Sequence, residues 1–406
     1  MIANAENMSL EPSGDALTAV APHARLLAQD DFSRDVWSVF GLPIDLVTAP
    51  QAVELIEISA RGRRPLAFVT PNVNFLIRCL NDPNARREVI DSDLSLIDGA
   101  PLVALGRFAG VPIRERCAGS DVFAALRLRP GFPGRRLRVF FFGGRDGAAK
   151  AAAEKLNAEK RGVEAAGFLN PGHGDVESMS RPEIINEINA AEADFVLVAL
   201  GAAKGQRWID QNRAKLNAPV IAHLGAVMDF VAGTIRRAPR WVARTGLEWA
   251  WRIKEEPSLW RRYWTDGAAL AGVMPQLMSA ALTTRLPARR AGDCRAHAGN
   301  GLTVIELVGD LSVRNRDLAR AAFRTAARAD GDVILDLAQL RRVDASVLGQ
   351  ILMLEKAIRA RGGAIAVRNQ SKRMRRLFAA HAMNYRQATD QLQASGPDWE
   401  SIAAAV

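Results

Sequence analysis

The sequence predicts an α/β protein: a doubly wound, mostly parallel sheet followed by a second, smaller α/β unit. Three observations carry this. Short apolar runs alternate with stretches of helical spacing, glycine or an acid closes several of the runs, and a Pro/Gly/Arg-rich segment at 284–300 divides the chain.

Taken in order, residues 1–35 are polar and turn-rich and read as a flexible leader. The α/β pattern begins around Val39. LAFVT (66–70) is a strand, and NVNFLIRCLNDPNARREVI behind it places Phe75, Leu76, Cys79 and Leu80 at helical spacing. LSLID (94–98) is a strand that ends in the turn Asp98-Gly99. LRVFFFGG (137–144) runs into glycines and then an Ala-rich helix from Ala148. DFVLVALG (194–201) and PVIAHLG (219–225) repeat that design. Ligands of such sheets bind at the carboxyl ends of strands, so the residues closing these runs are the first functional candidates. After the linker at 284–300, a unit over 301–390 reads strand, helix, strand, helix, strand, helix, and 391–406 is a tail.

At 406 residues the chain is long enough for two or three domains, and 49% hydrophobic with 24% charged residues is a folded, soluble balance. The net charge of +10 calls for an anionic partner: nucleic acid, phospholipid or a phosphorylated small molecule. Cys79, Cys117 and Cys294 have neither disulfide nor metal-site spacing. No signal peptide is visible, and the most apolar stretch, 267–282, is interrupted by Pro275 and too short to span a bilayer.

Residues 236–264 hold Trp241, Trp249, Trp251, Trp260 and Trp264 interleaved with arginine. A core helix would confine the indoles to one face, but these spread around a 3.6-residue period, and Pro239 and Pro257 break the helix. No nucleic-acid signature accompanies them. Indoles at the headgroup layer and arginines against anionic lipid suit the composition. Residues 236–283 therefore read as a monotopic, membrane-facing helical appendage. Trp260, Arg261 and Trp264 are expected to meet lipid, with Leu247 and Trp249 packed inward.

Several local motifs admit more than one reading. Gly143, Gly144 and Gly147 serve equally as a tight turn or as a phosphate cradle, without the dinucleotide spacing. Asp91-Ser92-Asp93 has the form of a metal-binding acid pair but sits at the wrong end of its strand, which favours a solvated turn. Asp98 projects into the expected crevice, and position alone serves a general base and a helix cap equally well.

TPN (70–72), IDG (97–99), ERCAGSD (115–121), ADFVLVALGAAKGQRWI (193–209) and HLGAVMDFVAGTIRRAPRW…GLEWAWR…EP (223–257) occur in this order. Together they resemble the WecG/TagA/CpsF family of bacterial glycosyltransferases over about 36–266. The resemblance implies a Rossmann-like catalytic domain over 36–235. Its activity would be inverting transfer of a sugar from a UDP-sugar to a saccharide on a polyprenyl diphosphate, without a metal or other cofactor. Asp98 would be the general base. Thr70, Asn72, Arg116, Gly119, Asp121, Gly225 and Asp229 would bind substrate, and Arg252 and Arg262 would meet the leaving diphosphate, to which guanidinium binds bidentately. The setting implied is exopolysaccharide or capsule assembly at the cytoplasmic face of the bacterial inner membrane.

The chain departs from the family at GAAKGQ (201–206), where the usual glutamine is Gly205 and the usual glutamate is Gln206. Gln206 is expected to take over the donor contact by a local shift. The same departure favours an alternative, a non-catalytic scaffold in a polysaccharide-synthesis complex, whereas intact Thr70, Asn72 and Asp98 favour the enzyme. No motif names the donor sugar.

LVGDLS (307–312), ILDLAQLRRVDASVLGQIL (334–352) and RGGAIAVRNQSKRMRRLF (361–378) resemble a STAS domain. Regulatory members carry a phosphorylatable serine directly after the aspartate matching Asp344. Here Ala345 follows, with Ser346 one place on, which removes the usual phosphate switch. The expectation is a docking module for a protein partner or another copy of this chain, separable enough that a chain cut after Arg285 keeps its chemistry in detergent.

Overall fold

Parallel strands buried on both faces need unbroken apolar runs, and the FFF of the third sheet strand and the FVLVA of the fifth supply them. The computed structural model describes residues 30–388 except 240, 243, 244 and 300. The leader over 1–29 and the tail over 391–406 lie outside the described residues. A hairpin, β1 (Val36–Val39) and β2 (Leu42–Asp45), leads into the main sheet. That sheet is formed by β3 (Leu66–Val69), β4 (Leu94–Ser95), β5 (Leu137–Gly143), β6 (Val163–Leu169), β7 (Phe195–Ala199) and β8 (Val220–His223). All its pairings are parallel, in the order β4-β3-β8-β7-β5-β6.

Helices cover both faces. On one side α1 (Ala49–Gly62), α5 (Gly119–Leu128), α6 (Ala148–Glu159) and α9 (Gly225–Ala232) share a core with the sheet. On the other, α7 (Pro182–Ala190) and α8 (Ala202–Asn212) do so, with Trp208 stacked on Phe142 at 4.4 Å between ring centroids. The chain leaves β3 through α2 (Val73–Asn81) and α3 (Pro83–Ile90), the second of which lies beside α8, and leaves β8 through α9, which lies beside α6. Adjacent strands whose connections depart on opposite faces leave a crevice at their carboxyl ends. α4 (Ala100–Phe108) flanks it.

Two further helices, α10 (Glu248–Glu255) and α11 (Leu259–Thr284), form the appendage, with the expected break at Pro257. α11 continues through Pro275, and its last turns bury Leu277, Ala280 and Ala281. Among the described residues no helix is long and apolar enough to cross a membrane.

The second unit begins earlier than expected. Within the segment read as a linker, β9 (Gly292–Gly299) pairs antiparallel with β10 (Leu302–Leu311). Its period-two signal, Cys294, Ala296 and Ala298 against Asp293, Arg295 and His297, is written in small residues and is faint. β11 (Asp332–Asp336), β12 (Leu340–Val343), β13 (Ile365–Arg368) and β14 (Arg386–Gln387) complete a sheet of order β12-β10-β11-β13-β14. α12 (Arg316–Arg328), α13 (Ala345–Ala360) and α14 (Lys372–Ala380) pack on it.

The two units share one core. The β1–β2 hairpin lies across α13, and Gly349 gives it room, because a side chain there would overlap the Val36 carbonyl. Phe40 and Gly41 turn the hairpin with φ of 50° and 90°, and a side chain at Gly41 would strike the His381 carbonyl. Val36, Phe40 and Ile44 share one buried cluster with Ile351, Leu354 and Phe378. The leader reading also runs too far along the chain: Phe32 is buried in this cluster and Arg34 in the seam beside it.

Charges in this seam are matched. Arg34 donates from Nε and Nη2 to Asp45 (3.0 and 2.7 Å) and from Nη1 to Asp31 (2.6 Å). Burial alone would lower its pKa, but Asp45 and Asp31 hold the guanidinium above its usual range. Arg86 forks onto Glu355 at 2.6 and 2.8 Å, and Tyr385 donates to the same carboxylate at 2.8 Å. Asp91 and Asp93 of the acidic turn face Arg359 and Lys356, so they bind the second unit and are not a freely solvated turn. Ser346 is fully buried and donates its hydroxyl to Asp344 at 2.6 Å.

Candidate active site

A cavity of about 710 Å³ opens where the crevice meets the appendage. Its floor is set by backbone bonds: Leu96 donates to the Val69 carbonyl and Asp98 to that of Pro71, both at 2.8 Å. These keep the chain beside β3 beyond the end of β4 and deliver Asp98 to the cavity. Gly99, with φ of 82°, then turns the chain into α4 and donates its N–H to Asp98 Oδ1 at 2.6 Å. Asn72 accepts from the Asn74 and Phe75 N–H groups at 3.0 and 3.4 Å with Oδ1, capping α2. Only its amide NH₂ is left to serve a ligand.

Arg116 is the electrostatic centre. Its Nη1 is 3.6 Å from Asp98 and pairs closely with Glu248 of α10, while Nη2 reaches Asp121 at 3.1 Å. Arg237 binds Asp121 from the other side. One guanidinium therefore answers three carboxylates. Burial raises the Asp98 pKa to about 6; Arg116 pulls against the rise, and Glu248 adds to it. At neutral pH such a group is mostly a carboxylate yet basic enough to accept a proton.

Asn72, Asp98, Arg116, Arg252 and Arg262 all line the cavity, as do Trp260 and Trp264, which are 52% and 73% exposed at its mouth. Arg261 lies outside it, with its guanidinium over the Trp260 ring. Thr70, Gly119, Asp121, Gly225 and Asp229 are not on the cavity wall. Gly119 lets α5 start tight against Leu224, with the Thr70 methyl beside it. Gly225 lies against the His223 imidazole at the β8 end. Burial raises the Asp229 pKa, while Arg145 and Arg252 oppose the rise.

Two expectations fail. Gln206 is buried, with Nε2 facing the Glu88 carbonyl at 3.4 Å, and does not reach the cavity. The neighbouring Gly205 has a packing reason, since a side chain there would overlap the His223 ring. Leu247 and Trp249 do not pack inward either: they are 48% and 45% exposed, because α10 lies over an open cavity and buries none of its residues. Sequence reasoning missed Glu248 and Asp266, the latter accepting from Asn74 Nδ2 at 3.0 Å and tying α11 to α2. Glu248 stands in the GLEWAWR motif, between Leu247 and Trp249.

The sequence profile of the glycosyl transferase WecG/TagA/CpsF family matches residues 37–283, and that of the Mlab, STAS domain matches 296–385. The chain belongs to the WecG/TagA/CpsF glycosyltransferase family and carries a STAS domain behind the transferase. It is 29% identical over 195 residues to an N-acetylglucosaminyldiphosphoundecaprenol N-acetyl-beta-D-mannosaminyltransferase of Bacillus spizizenii, a match covering 48% of this chain and 73% of that one. The enzyme of the same description from Bacillus subtilis is 28% identical over 198 residues, with the same shares covered.

Proposed function

We propose that the protein transfers a sugar from a UDP-sugar to a saccharide carried on a polyprenyl diphosphate, inverting the anomeric carbon. The observation that carries this is Asp98, whose carboxylate is raised to about 6 in a cavity that Arg252 and Arg262 also line. Asp98 takes the proton of the acceptor hydroxyl as that oxygen bonds to the anomeric carbon. The bond from that carbon to the diphosphate breaks on the opposite face, and UDP leaves with the electron pair. Arg252 and Arg262 neutralise the departing charge, the task a divalent cation performs in other transferases, so no metal or other cofactor is needed.

The names of the two Bacillus relatives support a lipid-linked N-acetylglucosaminyl acceptor and an N-acetylmannosaminyl donor group. The exposed Trp260 and Trp264 and the cation of Arg261 support peripheral binding to an anionic bilayer beside that acceptor. We assign the enzyme to the cytoplasmic face of the inner membrane and to exopolysaccharide or capsule assembly. Intact Thr70, Asn72 and Asp98 favour the enzyme over the scaffold alternative, and Gly205 has a packing reason of its own. The test is UDP release from a panel of UDP-sugars, including UDP-N-acetylmannosamine and UDP-glucose, with and without a lipid-linked N-acetylglucosamine acceptor. Acceptor-dependent release from one donor is expected; no release from any would defeat the proposal.

A further inference from the structure

The ion pairs around Arg116 join two bodies with different attachments. Asp98, Arg116 and Asp121 belong to the crevice, whereas Glu248 is carried by α10 of the appendage, which buries none of its residues. We propose that Glu248 is a positioning residue that arms Asp98 by engaging the shared guanidinium of Arg116 when the appendage covers the crevice. This rests on the reading of Asp98 as the base.

With the appendage in place, Arg116 Nη1 is divided between Glu248 and Asp98, and its longer distance, 3.6 Å, is the one to Asp98. Asp98 is left with one firm hydrogen bond, from the Gly99 N–H. The other charged groups facing it are Asp121 behind Arg116 and, on the appendage side of the cavity, Arg252, Arg262 and Asp266. Lifting α10 removes Glu248 and frees Arg116 to close on Asp98. An unshared guanidinium stabilises the carboxylate and weakens it as a base. An uncovered crevice therefore holds a poor base and does not spend the donor on water.

The experiment is the pH dependence of kcat with a short-chain acceptor, for the full-length wild type, Glu248→Gln, Glu248→Asp and Asp98→Asn. Wild type should lose rate as pH falls through about 6, where Asp98 becomes protonated. Glu248→Gln removes a negative neighbour and releases Arg116, so its midpoint should move down by about one pH unit. The plateau should fall several-fold with it. Glu248→Asp keeps the charge and should return the midpoint toward that of wild type. If Glu248 only props the appendage, Glu248→Gln will lose rate equally at every pH with its midpoint unmoved, and the proposal falls while Asp98 remains the base. Near-normal transfer by Asp98→Asn would instead remove the base reading beneath it.

Discussion

Two clusters of arginine and carboxylate, built from the same chemistry, behave in opposite ways. In the seam between the transferase and the STAS domain two buried arginines have carboxylates in good geometry: Arg34 binds Asp45 and Asp31, and Arg86 forks onto Glu355. In the crevice one arginine, Arg116, is divided among Asp98, Asp121 and Glu248. Matched charges give a fixed joint. A shared charge gives an arrangement that a small movement of α10 redistributes. The seam pairs its charges within a buried core, and the crevice divides one cation among several carboxylates.

The largest expected effect breaks the seam. Arg34→Ala leaves Asp45 buried without its cation, while Asp31 keeps Lys356 at 3.0 Å, and removing one partner of a buried pair costs about 3–5 kcal/mol. Denaturant unfolding should report a loss of that order in a single transition for both domains. A chain ending at Arg285 exposes Val36, Phe40 and Ile44, which share a core with α13. It should aggregate and not retain chemistry, contrary to the sequence-based expectation. A monomeric, active truncated enzyme would show that the seam is dispensable.

Next comes the crevice. Arg116→Gln should change stability by less than about 1 kcal/mol, since its pairs are only partly buried. Its transfer rate near neutral pH should nonetheless fall at least about tenfold, because without Arg116 the pKa of Asp98 rises and more of the base is protonated. Equal losses of stability and activity would erase the contrast with Arg34. A smaller effect is expected at the membrane. Trp260→Ser with Arg261→Gln and Trp264→Ser should weaken flotation with anionic liposomes while sparing UDP-sugar affinity, each arginine being worth about 1 kcal/mol near the surface. Unchanged flotation would remove the membrane role. The smallest is Ser346→Ala, which deletes one buried hydrogen bond to Asp344 and should cost about 1 kcal/mol. Mass spectrometry of the native protein should find Ser346 unmodified; stoichiometric phosphate there would reopen the switch that the burial argues against.

The same contrast explains what was legible in the sequence. Apolar runs such as FVLVA, closed by glycine or Asp98, announce the sheet and its crevice, because parallel strands need continuous hydrophobicity. Asp98, Arg116 and Arg252, which line the cavity, stand in motifs that occur in order, and Arg262 follows five residues after the last of them. The seam was not legible. Arg34 sits in a polar stretch that reads as leader, and its partners Asp31 and Asp45 gain meaning only when α13 covers them. β9 hid for another reason, since its alternation uses alanine and cysteine. Position in a motif does not reveal that Gln206 points into the protein toward the Glu88 carbonyl, or that the His223 ring fills the space a side chain at position 205 would need.

The most direct test is the transfer rate of Asp98→Asn beside wild type, with the donor found active in the UDP-sugar panel and a lipid-linked acceptor, at a pH above 7. The substitution keeps the shape of the side chain and removes the proton acceptor, so unfolding and donor binding should match wild type. Transfer should fall by about a hundredfold or more, the usual scale of a general base. Transfer within a few-fold of wild type would contradict the account of this site.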